Sequence, residues 1–207
     1  MATHNTLKVV LVEPAGPINV GSVARLCENF SVHELRLVSP KCDYLAQEAK
    51  KMAVRGLKIL EKAKVYEDLN SALSDCSRII ATCGRKEHGE IPLNSNKDAL
   101  SWALKSEREE TIALVFGRED RGLSNEELLK ANKVISLNTS EDYPSLNLSH
   151  AVAIVLHQFN QLNDLDLLKH HTKTSSPANL IKLEDCINDA GSLLLDIGFL
   201  MKHTYKA

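Results

Sequence analysis

Thr111-Ile-Ala-Leu-Val-Phe-Gly-Arg-Glu-Asp-Arg-Gly122 is the stretch on which the fold turns. Its first half is apolar without alternation, the pattern of a strand buried on both faces in a parallel sheet. The run stops at Gly117, and four charged residues separate that glycine from Gly122. Glycines flanking charges make a poor ordinary surface turn. They suit a strand end at which backbone comes close to a ligand.

Upstream and downstream the same theme recurs. Leu7–Val12, Glu34–Val38, Ser77–Thr82 and Val134–Leu137 read as strands, with a further short one at Lys64–Tyr66. Between them, helical patterns are expected over Gly21–Asn29, Tyr44–Ala53, Glu67–Leu73, Asp98–Lys105 and Leu148–Leu162. Ser124 with Glu127 forms the sequence of a capping box. Alternation of this kind gives an α/β fold, a largely parallel sheet flanked by helices. Arg85–Asn96 is polar and lacks periodicity, so it reads as a loop. The expected organisation is a domain over 1–165, a linker over 166–178 centred on the Ser/Thr/Pro-containing His170–Pro177, and a helical extension over 179–207. The extension's helix, Leu180–Leu200, is expected to break near Gly191.

The bulk composition excludes several classes. At 207 residues and 22.9 kDa the chain buries a core without disulfides or a structural metal. Five scattered cysteines include no CxxC pair, which argues against a zinc ribbon or a redox motif and for reduced, buried thiols. No signal-like segment opens the chain, and no apolar run approaches the roughly 18 residues of a membrane span. The expected location is cytoplasmic, without membrane contact. A formal net charge of -2 does not advertise a nucleic-acid binder. Affinity for RNA would have to come from a local cluster such as Lys50, Lys51, Arg55 and Lys58.

Four strand ends deliver polar or glycine-bearing loops: Glu13–Arg25, Thr82–Gly84, Gly117–Gly122 and Asn138–Asn147. Ligands of open α/β sheets bind at such carboxyl ends. In Asn19-Val-Gly-Ser-Val-Ala-Arg25, Gly21 would let the backbone turn into a helix whose N–H groups face an anion, with Arg25 one turn on. Taken alone, this is equally a plain helix start with a surface arginine. In Tyr143-Pro-Ser-Leu-Asn-Leu-Ser149 the polar residues suit either a ligand or a helix cap. There is no GxGxxG fingerprint, no GK[ST] phosphate loop and no GxSxG elbow, so dinucleotide, P-loop and hydrolase readings lack support. No histidine spacing suggests a metal site.

Together and in order, Asn19-x-Gly21-x-x-x-Arg25, Leu114–Glu119 with Gly122-Leu123, and Ser145–Ser149 before a long apolar helix resemble the SpoU branch of the SPOUT methyltransferases. The likeness runs from about Leu7 to Leu162. Leu11-Val-Glu-Pro14, Gly122–Glu127 and Tyr143–Asn147 are most similar to the TrmJ subgroup, whose members methylate the ribose of nucleotide 32 in the tRNA anticodon loop. Asn179–Lys202 is similar to the start of that subgroup's helical extension and stops early. The resemblance implies a deep trefoil knot near the C-terminus of the α/β domain, a homodimer, tRNA or another structured RNA as partner, and S-adenosylmethionine as methyl donor. It places the donor at Thr82, Cys83, Gly84, Gly117, Leu137, Pro144, Ser145 and Leu146. It places Arg25 at the chemistry, holding the target phosphate and polarising the 2'-oxygen, with Glu119 orienting Arg25 or the RNA. Asn19, Ser145 and Asn147 would fix the loops. The alternatives are methylation of ribosomal RNA or another tRNA position, a non-catalytic RNA- or cofactor-binding module, and a small-molecule enzyme.

Overall fold

The computed structural model describes residues 6–84, 91–105, 110–137, 139–140, 142–143, 145–168 and 180–199. The expectations that fall on Arg85–Glu90, Pro144 and residues 169–179 lie outside the described residues. The chain divides into two compact units, Met1–Leu167 and Leu168–Ala207.

In the first unit the strands are β1 (Thr6–Val12), β2 (Glu34–Val38), β3 (Lys64–Tyr66), β4 (Arg78–Thr82), β5 (Thr111–Phe116) and β6 (Lys133–Ile135). The helices are α1 (Pro17–Asn29), α2 (Gln47–Ala53), α3 (Leu57–Glu61), α4 (Leu69–Leu73), α5 (Asn96–Leu104), α6 (Asn125–Leu128) and α7 (Leu148–Leu168). The strands form one sheet in the order β3-β2-β1-β5-β4-β6, and every pairing is parallel. Side chains alternate across a strand, so β1 and β5 feed two cores. Leu7, Val9, Leu11, Ile112, Leu114 and Phe116 pack on one face with α1, α2, α3, α5 and α7. Val10, Val12, Ala113 and Val115 pack on the other with α4 and α6. Burial on both faces is why these strands read as continuous apolar runs.

Several boundaries differ from expectation, each for a local reason. Helix α1 begins at Pro17, four residues before Gly21, because proline at the first helical position loses no hydrogen bond. Asn19 therefore lies in the first turn of α1. Gly21 does not make the turn: it sits inside the helix, where an added Cβ would lie 2.1 Å from the carbonyl oxygen of Ala49. It lets α2 touch the α1 backbone. Helix α2 ends at Ala53, because the next residue, Val54, has a φ of 49° that a regular α-helix does not accommodate. A 3-10 turn over Val54–Gly56 then leads into α3, which the sequence did not disclose. Helix α7 continues to Leu168, so the start of the expected linker is helical. The second unit holds α8 (Leu180–Asp196), which runs through Gly191 without the expected break.

Buried charge ties the amino ends of the strands together, opposite the loops described below. Arg36, only 1% exposed, donates to both carboxylate oxygens of Asp75 (2.6 and 2.8 Å) and to Glu34. Lys8 of β1 also reaches Asp75, at 2.7 Å. Hydrogen bonding from Arg36 holds the Asp75 carboxyl well below the usual carboxylate range. Cys27 and Cys83 are buried, Cys42 and Cys76 half-buried, and Cys186 exposed, so burial holds for only part of the cysteine set. Desolvation pushes the Cys27 thiol up to about 12 and Cys76 to about 11.

Candidate active site

The sheet order reverses beside β1: β2 and β3 lie to one side, β5, β4 and β6 to the other. A crevice outside the carboxyl ends of strands near such a switch is where open α/β sheets bind ligands. Here a cleft of about 230 Å³ opens on the β5 side of that switch, lined by Thr82, Cys83 and Gly84 at the end of β4, by Phe116–Gly122 at the end of β5, by Leu137 after β6, and by Ser145, Leu146, Leu148 and Ala151 around the start of α7. Of the eight residues expected at the methyl donor, seven line this cleft. The eighth, Pro144, lies outside the described residues.

The loop Gly117–Gly122 is a closed turn. Arg118 N–H donates to Gly122 O at 3.3 Å and Gly122 N–H returns to Arg118 O at 3.0 Å. A Cβ on Gly117 would lie 2.2 Å from the carbonyl carbon of Gly122, so this glycine is required by the loop's own return. The sequence expectation assigned that closeness to a ligand. Gly122 has φ 68°, the left-handed conformation that glycine adopts without strain. At Gly84, by contrast, an added Cβ meets nothing within 4 Å among the described residues, which leave the backbone there open.

Arg118 locks this loop. Its Nε donates to Glu13 at 2.7 Å, and its two terminal nitrogens donate to Glu127 at 2.9 and 3.0 Å. Glu127 is also the capping-box residue of α6, accepting from the backbone N–H of Ser124 at 2.7 Å. The bond from Arg118 lowers the Glu13 carboxyl from its ordinary value. Burial alone would raise Glu127, but the bonds from Arg118 and Ser124 outweigh it and the group lies low. Both carboxylates raise Arg118 in turn. Neither Glu13 nor Arg118 figured among the expected site residues. The signal available was their position at the carboxyl ends of adjacent strands with opposite charge.

The three resembling segments meet in one relay. Glu119 accepts from the backbone N–H of Ala15 and Gly16, both at 3.2 Å, and from Asn19 Nδ2 at 3.1 Å. Asn19 Oδ1 accepts from Asn147 Nδ2 at 3.0 Å. Asn147 Oδ1 then accepts from the N–H and hydroxyl of Ser149, in the first turn of α7. Helix α1 has Gly16 as its N-cap and no acidic residue in its first turn. Glu119 supplies the negative charge from another loop, where the helix dipole favours it.

Arg25 is placed differently. It is exposed on α1, does not line the cleft, and among the described residues its side chain makes no hydrogen bond or ion pair. Six residues along a helix advance it about 9 Å from Asn19. The structure thus gathers Asn19, Glu119, Ser145 and Asn147 and leaves Arg25 outside. Among the described residues no group of three His, Cys, Asp or Glu could hold a metal ion. No described helix is long and apolar enough to cross a membrane.

The model of the SpoU rRNA Methylase family matches residues 6–157. The chain belongs to this family. It is 41% identical over 156 residues to tRNA (cytidine-2'-O-)-methyltransferase TrmJ of Methanocaldococcus jannaschii, covering 73% of this chain and 66% of that one. To the protein of the same name from Sulfolobus acidocaldarius it is 36% identical over 179 residues, 85% of this chain and 73% of the other. The crystal structure of TrmJ from Z. mobilis superposes with a TM-score of 0.69 at 26% identity, covering 95% of this chain and 82% of that chain. Within the family, the chain is TrmJ-like.

Proposed function

We propose that this chain transfers the methyl group of S-adenosylmethionine to a ribose 2'-OH of tRNA, at nucleotide 32 of the anticodon loop. The observation that carries the reading is the Glu119–Asn19–Asn147 relay, whose Glu119 lines the cleft, because it brings together the three segments by which the chain resembles RNA 2'-O-methyltransferases. The tRNA assignment is supported by the names of the TrmJ relatives, and nucleotide 32 by likeness to that subgroup. The deep trefoil knot, the homodimer and a cytoplasmic location belong to the same proposal.

The cleft fits the methyl donor. Open backbone at Gly84 can approach ribose hydroxyls, while Leu137 and Leu146 offer apolar wall to a planar base. When bound, the donor supplies an already electrophilic methyl group. The protein's task is then to position the ribose and stabilise charge developing on its 2'-oxygen. Arg25 is the proposed catalytic residue, holding the neighbouring phosphate and polarising the 2'-oxygen through its guanidinium. Its absence from its own cleft is what a homodimer with each site at the subunit boundary would remedy. Glu119, Asn19 and Asn147 act as positioning residues, keeping the loops at fixed distance.

The test is incubation with labelled S-adenosylmethionine and fully unmodified tRNA, followed by mass-spectrometric location of the methyl group. Label on the ribose of nucleotide 32, lost in Arg25→Ala with the fold retained, is expected. Label in ribosomal RNA alone would move the reading to the rRNA branch of the family. Undiminished transfer by Arg25→Ala would remove Arg25 from the chemistry.

A further inference from the structure

Helices α2 and α3, with the 3-10 turn between them, present two faces despite the break at Val54. Ala49, Ala53, Gly56 and Leu60 are buried, at spacings of four, three and four. Lys51, Arg55, Lys58 and Lys62 repeat the same spacing two positions on, and all four are exposed. Two positions on a helix rotate a residue to roughly the opposite side, so the cations share the outer face. From Arg55 onward, past the break at Val54, neighbours three or four residues apart stand about 5–6 Å from each other.

The row is rigidly placed. Gly21 of α1 touches the carbonyl of Ala49, and a Cβ on Gly56 would lie 2.3 Å from Ala24 O and 2.7 Å from Arg25 N. The buried face is thus pressed backbone to backbone on α1, and the basic row is fixed relative to Arg25 and Asn19. Among the described residues none of the four side chains makes an ion pair or hydrogen bond. Residues 50–62 carry five cations against Glu61 alone, a local charge of +4 in a chain whose formal total is -2. Like charges at helical spacing repel, and an acidic chain had carboxylates to offset them. Four exposed cations without partners among the described residues match a ligand that carries several negative charges.

We propose that Lys51, Arg55, Lys58 and Lys62 form a track for the sugar-phosphate backbone of the RNA substrate, on the flank of the nucleotide that Arg25 engages. This rests on the proposed methyl transfer to RNA and adds the surface that holds the strand. Contacts of this kind set position and affinity without reading sequence.

The experiment compares the full chain with K51Q/R55Q/K58Q/K62Q. Binding of fluorescent unmodified tRNA is followed by anisotropy across a salt series, with methyl transfer measured alongside. Each phosphate contact contributes roughly 0.7–0.9 to the slope of log affinity against log salt, so the variant's slope should be shallower by about 3. At low salt its affinity should fall at least tenfold, with KM for tRNA raised and kcat kept. Melting temperature and binding of S-adenosylmethionine should match the unsubstituted chain. An unchanged slope and affinity would overturn the track. So would absence of tRNA binding by the unsubstituted chain, or its displacement by polyglutamate as readily as by unlabelled tRNA. Salt-dependent tRNA binding through the row without methyl transfer would remove the enzymatic reading and leave the track standing. Transfer with an unaltered variant would do the reverse.

Discussion

Removing the Glu119 carboxylate should loosen three loops at once. In Glu119→Ala, the N–H groups of Ala15 and Gly16 and the Nδ2 of Asn19 lose their common acceptor. Hydrogen bonds to a charged group contribute about 1.5–3 kcal/mol each where water is excluded. Ala15 is exposed and Gly16 half-buried, so solvent takes over most of the two backbone bonds. The bond to Asn19 and the favourable charge at the start of α1 are lost outright, for a net cost of about 2 kcal/mol. For a domain of this size that corresponds to a drop in Tm of about 4–8 °C. Asn19 is then free to turn, and Asn147 loses its partner, so methyl transfer should fall further than stability does. Glu119→Gln should lie between the two, because its amide nitrogen would face a backbone N–H. The assays are thermal unfolding followed by circular dichroism, and tRNA methylation at a temperature where both proteins are folded. A Glu119→Ala protein that melts and turns over like the unsubstituted chain would refute the relay.

Gly117→Ala puts a methyl group within 2.3 Å of the loop's own backbone, so the turn must open and calorimetry should show S-adenosylmethionine affinity reduced at least tenfold in a protein that remains folded. Val54→Gly should raise Tm by about 2–4 °C, since strain at this φ of 49° costs about 1–3 kcal/mol and the side chain is 55% exposed; a lowered Tm would refute the strain. Asp75 has a folded-state pKa depressed below its usual 3.8, so its contribution is full above about pH 4 and declines as the pH falls further. Urea titrations at pH 7, 5, 4 and 3 should show that decline, and Asp75→Asn should make the loss between pH 4 and 3 smaller.

Sequence revealed the sheet more completely than the site. The runs Leu7–Val12 and Thr111–Phe116 lie between two helical layers, and burial on both faces leaves a signal that needs no partner to interpret. The α2–α3 region was harder, because Val54, Arg55 and Gly56 interrupt a pattern whose buried residues are small and read as neutral. Gly21 was legible as special and assigned the wrong task, since the helix packed against it lies 28 residues away. Cleft residues at strand ends could be listed from topology. The bonds between them could not: Glu119 meets Asn19 across 100 residues, and Arg118 meets Glu13 across 105. No local pattern encodes a pairing at that separation.

The long reach of the relay also has a temporal consequence. Its longest bond joins Asn19 to Asn147, 128 residues apart, and Asn147 lies directly before α7. During synthesis, no nascent chain ending before Asn147 can complete that bond. Loop closure over such distances is slow and comes after local structure. The relay is therefore among the last parts to mature, and a chain that stops before Asn147 lacks the bond that joins its segments above the cleft.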